Sequence, residues 1–232
     1  MIVHGFQKTT LLDYPGHLAA TIFLGKCNFR CPFCHNSILV LEADAVKTMD
    51  GEEILATLKK RKNILEGVCI TGGEPTLNPE LPDFIRAIKE IGLNVKLDTN
   101  GYKPDVVAAL LEEGLLDYVA MDIKSSRENY ALAAGVKNID TNRIDDAIII
   151  ISNKAPDYEF RTTLVKGIHT EADVLGIGDW IKGEHKYFLQ NYKDGETVIN
   201  PIYQSFSDQE MHHFKDILIQ KMPNVAIRGD YE

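Results

Sequence analysis

Apolar and polar positions along the chain follow two alternating periods. Short apolar runs at 19–24, 67–71, 94–97, 118–121, 158–165 and 186–190 have the length and the aliphatic character of buried strands. Between them, apolar residues recur every three or four positions, as in Ile54, Leu55 and Leu58 or Phe84, Ile85 and Ile88. This spacing predicts helices at 51–62, 82–91, 104–113, 139–153, 171–182 and 207–222. Punctuation agrees with the periods: Asp50 caps the first helix, Pro82 and Pro104 open two others, Gly92 and Gly114 close them, and Ser207 with Glu210 forms a capping box. Asp13-Tyr14-Pro15-Gly16 suits a type II turn leading into the first strand. The stretches 36–47 and 125–138 show neither period and read as irregular, and 191–203 reads as a polar loop able to cover one end of the fold.

Strand followed by helix, repeated, predicts parallel β/α units and the α/β class. The expected organisation is a single domain over 1–232, with a core at about 17–192 and an extension at 193–232 that ends in a short strand at 225–229. In such folds ligands gather at the C-terminal ends of the strands. The polar motifs obey that rule. Cys27, Cys31 and Cys34 follow the first strand, Gly72-Gly73-Glu74-Pro75 the second, Asp98-Thr99-Asn100-Gly101 the third, and Asp122-x-Lys124 the fourth. Strand alternation sends Asp122 and Lys124 to one side, where they can pair or bracket a zwitterion. Arg161, inside the fifth strand, has the planar fork that suits a carboxylate.

Composition narrows the chemistry. Acidic residues outnumber basic ones 34 to 25, a net charge of −9, which disfavours nucleic acid or an anionic membrane as partner. No run has the length of a membrane span, and the start of the chain lacks the pattern of a signal peptide, so a cytoplasmic location is expected. Clustered cysteines in a reducing compartment argue for metal or redox chemistry over disulfides. Three thiols within eight residues select an iron–sulfur cluster or zinc, and the remaining cysteine, Cys69, lies far away in the second strand. Three thiolates on a four-iron cluster leave one iron open to a small molecule.

The Cys-x3-Cys-x2-Cys loop with Phe33 before its last cysteine resembles that of the radical S-adenosylmethionine (SAM) superfamily. Cys34-His35-Asn36, together with 5–9 and 13–16, is similar to the glycyl-radical-enzyme activases, most like those of anaerobic ribonucleoside-triphosphate reductase. The resemblance implies a partial (β/α)6 TIM-type barrel and one [4Fe-4S] cluster on Cys27, Cys31 and Cys34, with SAM cleaved reductively to methionine and a 5′-deoxyadenosyl radical. It also implies SAM contacts from Phe33 (adenine), Gly72, Gly73 and Glu74 (amino group), Asp98, Thr99 and Asn100 (hydroxyls or a cation), and Asp122, Lys124 and Arg161 (methionyl group). No catalytic residue is expected beyond the cluster and SAM. The implied partners are a glycyl radical enzyme, with anaerobic ribonucleotide reductase first, and reduced flavodoxin or ferredoxin as donor, since four cysteines leave no ligands for a second cluster. The resemblance further places Asp13 and its turn near the partner's glycyl loop. Two other readings stand beside this one: a radical SAM enzyme acting on a small molecule, of the 7-carboxy-7-deazaguanine synthase type, and a non-catalytic zinc or iron–sulfur protein with His35 as fourth ligand. His169 reads as a surface loop residue.

Overall fold

The computed structural model describes residues 1–195 and 198–229. In chain order the strands are β1 Ile2–Val3, β2 Gly5–Thr10, β3 Ala19–Leu24, β4 Met49–Asp50, β5 Gly67–Gly72, β6 Asn94–Thr99, β7 Tyr118–Asp122, β8 Tyr158–Leu164, β9 Tyr187–Asn191 and β10 Val225–Ile227. The α-helices are α1 Ser37–Leu41, α2 Gly51–Arg61, α3 Leu81–Ile91, α4 Pro104–Glu112, α5 Tyr130–Ala134, α6 Asn142–Lys154, α7 Glu171–Trp180 and α8 Asp208–Ile219. All seven predicted strands, the short one at 225–229 included, and all six predicted helices are present, with ends displaced by a few residues. Two short helices, α1 and α5, occupy stretches expected to be irregular; each is five residues long, too short to show a period. The expected loop at 191–203 includes residues 196 and 197, which lie outside the described residues.

The chain divides into two compact units: 1–28, 38–120 and 143–158 in the first, and 29–37, 121–142 and 159–232 in the second. In the first unit the strand order is β2-β3-β5-β6. Hairpin partner β2 runs antiparallel to β3, whereas β5 and β6 run parallel to it in register from Ala19↔Gly67 and Gly67↔Asn94. Helix α3 shows why these segments fold as they do. Leu81, Phe84, Ile85 and Ile88 are all buried, each worth roughly 1.5–3 kcal/mol on full burial, and Gly92 closes the helix at φ +95°. Asp50 caps α2 by accepting from the Glu52 N–H at 3.0 Å.

Pro15 and Gly16 form the centre of a turn closed by a bond from the His17 N–H to the Tyr14 carbonyl, with Gly16 at φ +76°. Tyr14, 2% exposed, packs with Ala19, Tyr118 and Ala120. A Cβ on Gly67 would lie 2.8 Å from the Tyr14 ring. Asp13 is bonded by the Thr21 hydroxyl. Ala19, Gly67 and Tyr118 begin their strands, so the Tyr14 ring plugs the end of the first unit opposite to the polar motifs.

In the second unit β8, β9 and β10 run parallel in that order, Phe160↔Tyr187 and Val225↔Tyr187 setting the register. Helix α8 carries the expected capping box, Ser207 and Glu210 serving each other's backbone. Asp173 in α7 accepts from Ser126, Asn129 and Thr170 and anchors the loop after β7.

Candidate functional site

In the first unit, Cys27 leaves β3 through Gly25 and Lys26, the latter a non-glycine residue at φ +70°. Three backbone bonds hold this exit: Lys26 N–H to the Leu39 carbonyl at 2.7 Å, Gly73 N–H to Leu24 at 2.8 Å and Glu74 N–H to Lys26 at 2.8 Å. The paired glycines are needed for this close approach. A Cβ on Gly72 would lie 2.4 Å from the Leu24 carbonyl oxygen, and one on Gly73 2.0 Å from that of Lys26. On their Cα side the two glycines are thus packed against the backbone entry of the cysteine loop.

Glu74 is 1% exposed. Its carboxylate accepts from the Thr76 N–H at 3.1 Å, the Thr76 hydroxyl, the Thr99 hydroxyl at 2.8 Å and the Asn100 N–H at 2.7 Å. Burial pushes the carboxyl up, and these bonds pull it back without cancelling the shift. Thr99, itself buried, also accepts from the Gly101 N–H. The side chains of Glu74 and Thr99 thus brace the ends of β5 and β6 from inside. Asn100 accepts from the Tyr102 N–H at 3.0 Å and donates to Asn28 Oδ1 at 2.8 Å and to Cys27 Sγ at 3.9 Å. Asp98 pairs with Lys96 and accepts from the Thr71 hydroxyl at 3.2 Å. The ammonium of Lys96, 2% exposed, lies 3.8 Å from the sulfur of Cys69, its cross-strand neighbour.

In the second unit, Cys31 is buried and the Cys34 N–H bonds back to its carbonyl at 3.0 Å. Arg30 N–H reaches the Ala134 carbonyl at 2.9 Å, and Asn200 N–H the Pro32 carbonyl at 2.8 Å. A side chain at Gly135 would strike the Arg30 carbonyl oxygen at 2.0 Å. Phe33 is buried, edge-on to His169 with centroids 6.1 Å apart. His35 is exposed, with its ring 5.7 Å from that of Tyr192. Burial pushes the Cys34 thiol up, countered by a backbone bond at Asn36 and by the charge of Lys124.

Asp122, Lys124 and Arg161 form one network. Lys124 reaches Asp122 Oδ2 at 3.0 Å and Arg161 grips Oδ1. Behind them Arg161 lies 3.7 Å from the wholly buried Glu159, which also pairs with Arg228 at 2.7 Å, and the Arg228 guanidinium sits 4.1 Å over the Phe188 ring. Burial pushes the Asp122 carboxyl up, but the charges of Arg161 and Lys124 outweigh it and hold it well below the usual carboxylate range. The same pairing raises Lys124 despite burial, which acts the other way. His169 is 4% exposed, contrary to the surface position expected for it. Its Nδ1 accepts from the Val165 N–H at 3.0 Å, so Nε2 carries the proton and donates to the Lys124 carbonyl at 2.8 Å.

Lys96, His169, Glu159, Arg228 and Asn28 were absent from the sequence-based list. Only Lys96 carried a readable signal, its spacing of two from Asp98, the same alternation that singled out Asp122 and Lys124. Among the described residues no three His, Cys, Asp or Glu side chains are grouped as a metal site would group them, and no disulfide joins the four cysteines. The donor set nevertheless fits an iron–sulfur group: thiols to ligate, the Asn100 N–H aimed at one of them, and beside Cys27 a buried amide nitrogen of Asn28 with no partner among the described residues. No helix of the described residues is long and apolar enough to cross a membrane.

Residues 21–181 match the Radical SAM superfamily. A protein of Methanocaldococcus jannaschii, provisionally named a glycyl-radical enzyme activating enzyme, is 33% identical over 237 aligned positions covering 98% of this chain and 95% of that one. The pyruvate formate-lyase-activating enzyme of Clostridium pasteurianum is 33% identical over 53% of this chain and 52% of its own. Among solved structures, a radical SAM methyltransferase from Sphaerobacter thermophilus superposes with a TM-score of 0.70 at 16% identity, covering 93% of this chain and 67% of the other. At that identity the likeness shows the fold: α/β with a parallel sheet, with which a partial TIM-type barrel is consistent.

Proposed function

Since the chain belongs to the radical SAM superfamily and is an enzyme of that kind, we propose that it activates a glycyl radical enzyme, anaerobic ribonucleoside-triphosphate reductase first among the candidates. The observation that carries this reading is the end-to-end match to the archaeal relative, which spans 98% of this chain and 95% of that one. The reading treats 1–232 as one working radical SAM domain in the cytoplasm, using one [4Fe-4S] cluster and SAM.

Cys27, Cys31 and Cys34 would hold the cluster, which when bound supplies the electron that splits the sulfonium of SAM. The backbone carbonyls of Gly72 and Gly73 would take the SAM ammonium, with Asp98 taking polar groups of the nucleoside and Asn100 serving through its bonds to Asn28 and Cys27. Lys124 and Arg161 would bind the methionyl carboxylate, Asp122 holding both cations in place. Phe33 would lie against the adenine. Glu74 and Thr99 serve by fixing the strand ends that carry these groups. Water exclusion matters as much as contact, because a primary carbon radical must meet its target hydrogen before anything else. An external flavodoxin or ferredoxin would deliver the electron.

The test is anaerobic. The cluster is reconstituted and reduced, its EPR spectrum is recorded with and without SAM, and 5′-deoxyadenosine is assayed. A SAM-dependent spectral change with 5′-deoxyadenosine release, followed by a glycyl radical signal on the reductase or on a peptide of its glycyl loop, is expected. Zinc without iron, or a cluster indifferent to SAM, would sink the reading. Turnover of SAM with small molecules but with no glycyl substrate would move it to the small-molecule class.

A further inference from the structure

The Asn28 side-chain nitrogen, beside Cys27, is shut off from solvent and has no hydrogen-bond partner among the described residues. A buried N–H without an acceptor is costly, and native folds rarely leave one without reason. The oxygen of the same amide is well used: it accepts from Asn100 Nδ2 at 2.8 Å and lies 3.8 Å from the Cys27 sulfur.

The direction of both amides is set from one end. A backbone N–H can only donate, and that of Tyr102 donates to Asn100 Oδ1 at 3.0 Å. Asn100 must therefore present its NH2 group to Asn28 and to Cys27 Sγ, 3.9 Å away. That NH2 in turn requires the oxygen of Asn28 opposite it; flipping Asn28 would set two NH2 groups face to face. The relay thus ends with one N–H on the Cys27 sulfur and a second left over next to that cysteine. Neither chemistry nor spacing gives the leftover donor an acceptor inside the first unit.

We propose that Asn28 and Asn100 are positioning residues for the iron–sulfur cluster, Asn100 donating to the sulfur of Cys27 and Asn28 Nδ2 donating to the cluster itself. The proposal rests on the reading that Cys27 ligates a cluster. An N–H aimed at sulfur stabilises the added negative charge of the reduced state more than the oxidised one, so the pair makes the cluster easier to reduce. This suits a protein whose chemistry begins with uptake of one electron.

The experiment measures the midpoint potential of the reconstituted cluster by EPR-monitored titration, in the wild type and in Asn28→Leu, Asn28→Ala and Asn28→Ser, with iron and sulfide contents determined for each. Asn28→Leu keeps the size and removes the donor; the expected result is about a tenfold fall in the one-electron reduction equilibrium, a shift of about 59 mV to more negative potential. Asn28→Ser retains a hydroxyl donor and is expected between the two. A fully loaded Asn28→Leu cluster at the wild-type potential overturns the proposal. Should Asn28→Leu take up no iron, Asn28→Ala against Asn28→Ser decides: a more negative alanine variant supports the proposal, and equal potentials overturn it. A wild-type chain that assembles no cluster overturns the proposal and the functional reading together, and is recognised before any variant is compared.

Discussion

Each unit carries a lysine and an aspartate two residues apart, within a strand in the first and across the end of one in the second. In the first unit Lys96 lies inside β6 with its side chain 2% exposed, and Asp98 stands nearer the strand end at 15%. In the second unit Asp122 ends β7 at 31% and Lys124 follows at 16%, with Arg161 gripping the same carboxylate. Alternation puts Lys96 and Asp98 on one face of β6. What differs is the setting of the lysine: Lys96 is buried against Asp98, whereas Lys124 shares Asp122 with Arg161.

Lys96→Met should therefore be the more damaging change to the fold, at about 3–5 kcal/mol for a buried charge left without its partner. Lys96→Met combined with Asp98→Asn should recover part of that loss, because the pair is removed as a unit. Lys124→Met should cost less stability, Asp122 retaining Arg161, yet weaken SAM binding by about tenfold to a hundredfold, the worth of a charge-assisted hydrogen bond. Denaturant midpoints and equilibrium SAM binding on the four proteins check both halves. Equal stability losses in the two lysine variants would break the comparison.

Glu74→Gln comes next, at about 1–3 kcal/mol. Each carboxylate oxygen accepts a backbone N–H, from Thr76 on one side and Asn100 on the other, so an amide NH2 must face one of them. A variant as stable as the wild type would show that this brace is not what holds the ends of β5 and β6.

The smallest effect is one of pH. Asp122 is depressed, so its contribution is complete above the unfolded value of about 4 and is lost as pH falls through its lower folded value. Lys124 is raised, so its contribution is complete below the unfolded value of about 10.4 and is lost only as pH rises through its higher folded value. The second pair is thus insensitive across the neutral range. His169 behind it is not: burial lowers its folded value, so its contribution is complete above about 6.5 and is lost as pH falls. The stability of the wild type over His169→Leu should shrink between pH 7 and pH 5. A constant difference would mean that His169 titrates alike folded and unfolded.

Period and punctuation located the seven strands and six long helices because each buries a stripe whose spacing is written locally, as with Phe84, Ile85 and Ile88 in α3. The five-residue helices α1 and α5 escaped because one turn and a half carries no period. The cysteine spacing, the family and the Asp122–Lys124 pair were legible for the same reason: ligands and pairs within a few residues of each other need no knowledge of the fold. The bracing bonds of Glu74 were not legible because its partners Thr99 and Asn100 lie 25 and 26 residues away, at the end of another strand.

The sequence by itself determined the class of fold, the family and the three thiols, all consequences of short-range spacing. Tertiary structure alone decided that Lys96 is buried under Asp98, that His169 is buried with its proton on Nε2, that Tyr14 plugs one end of the first unit, and that the Asn28 nitrogen is left without an acceptor. Burial and hydrogen-bond direction depend on what distant segments bring to a residue, and no local period records that.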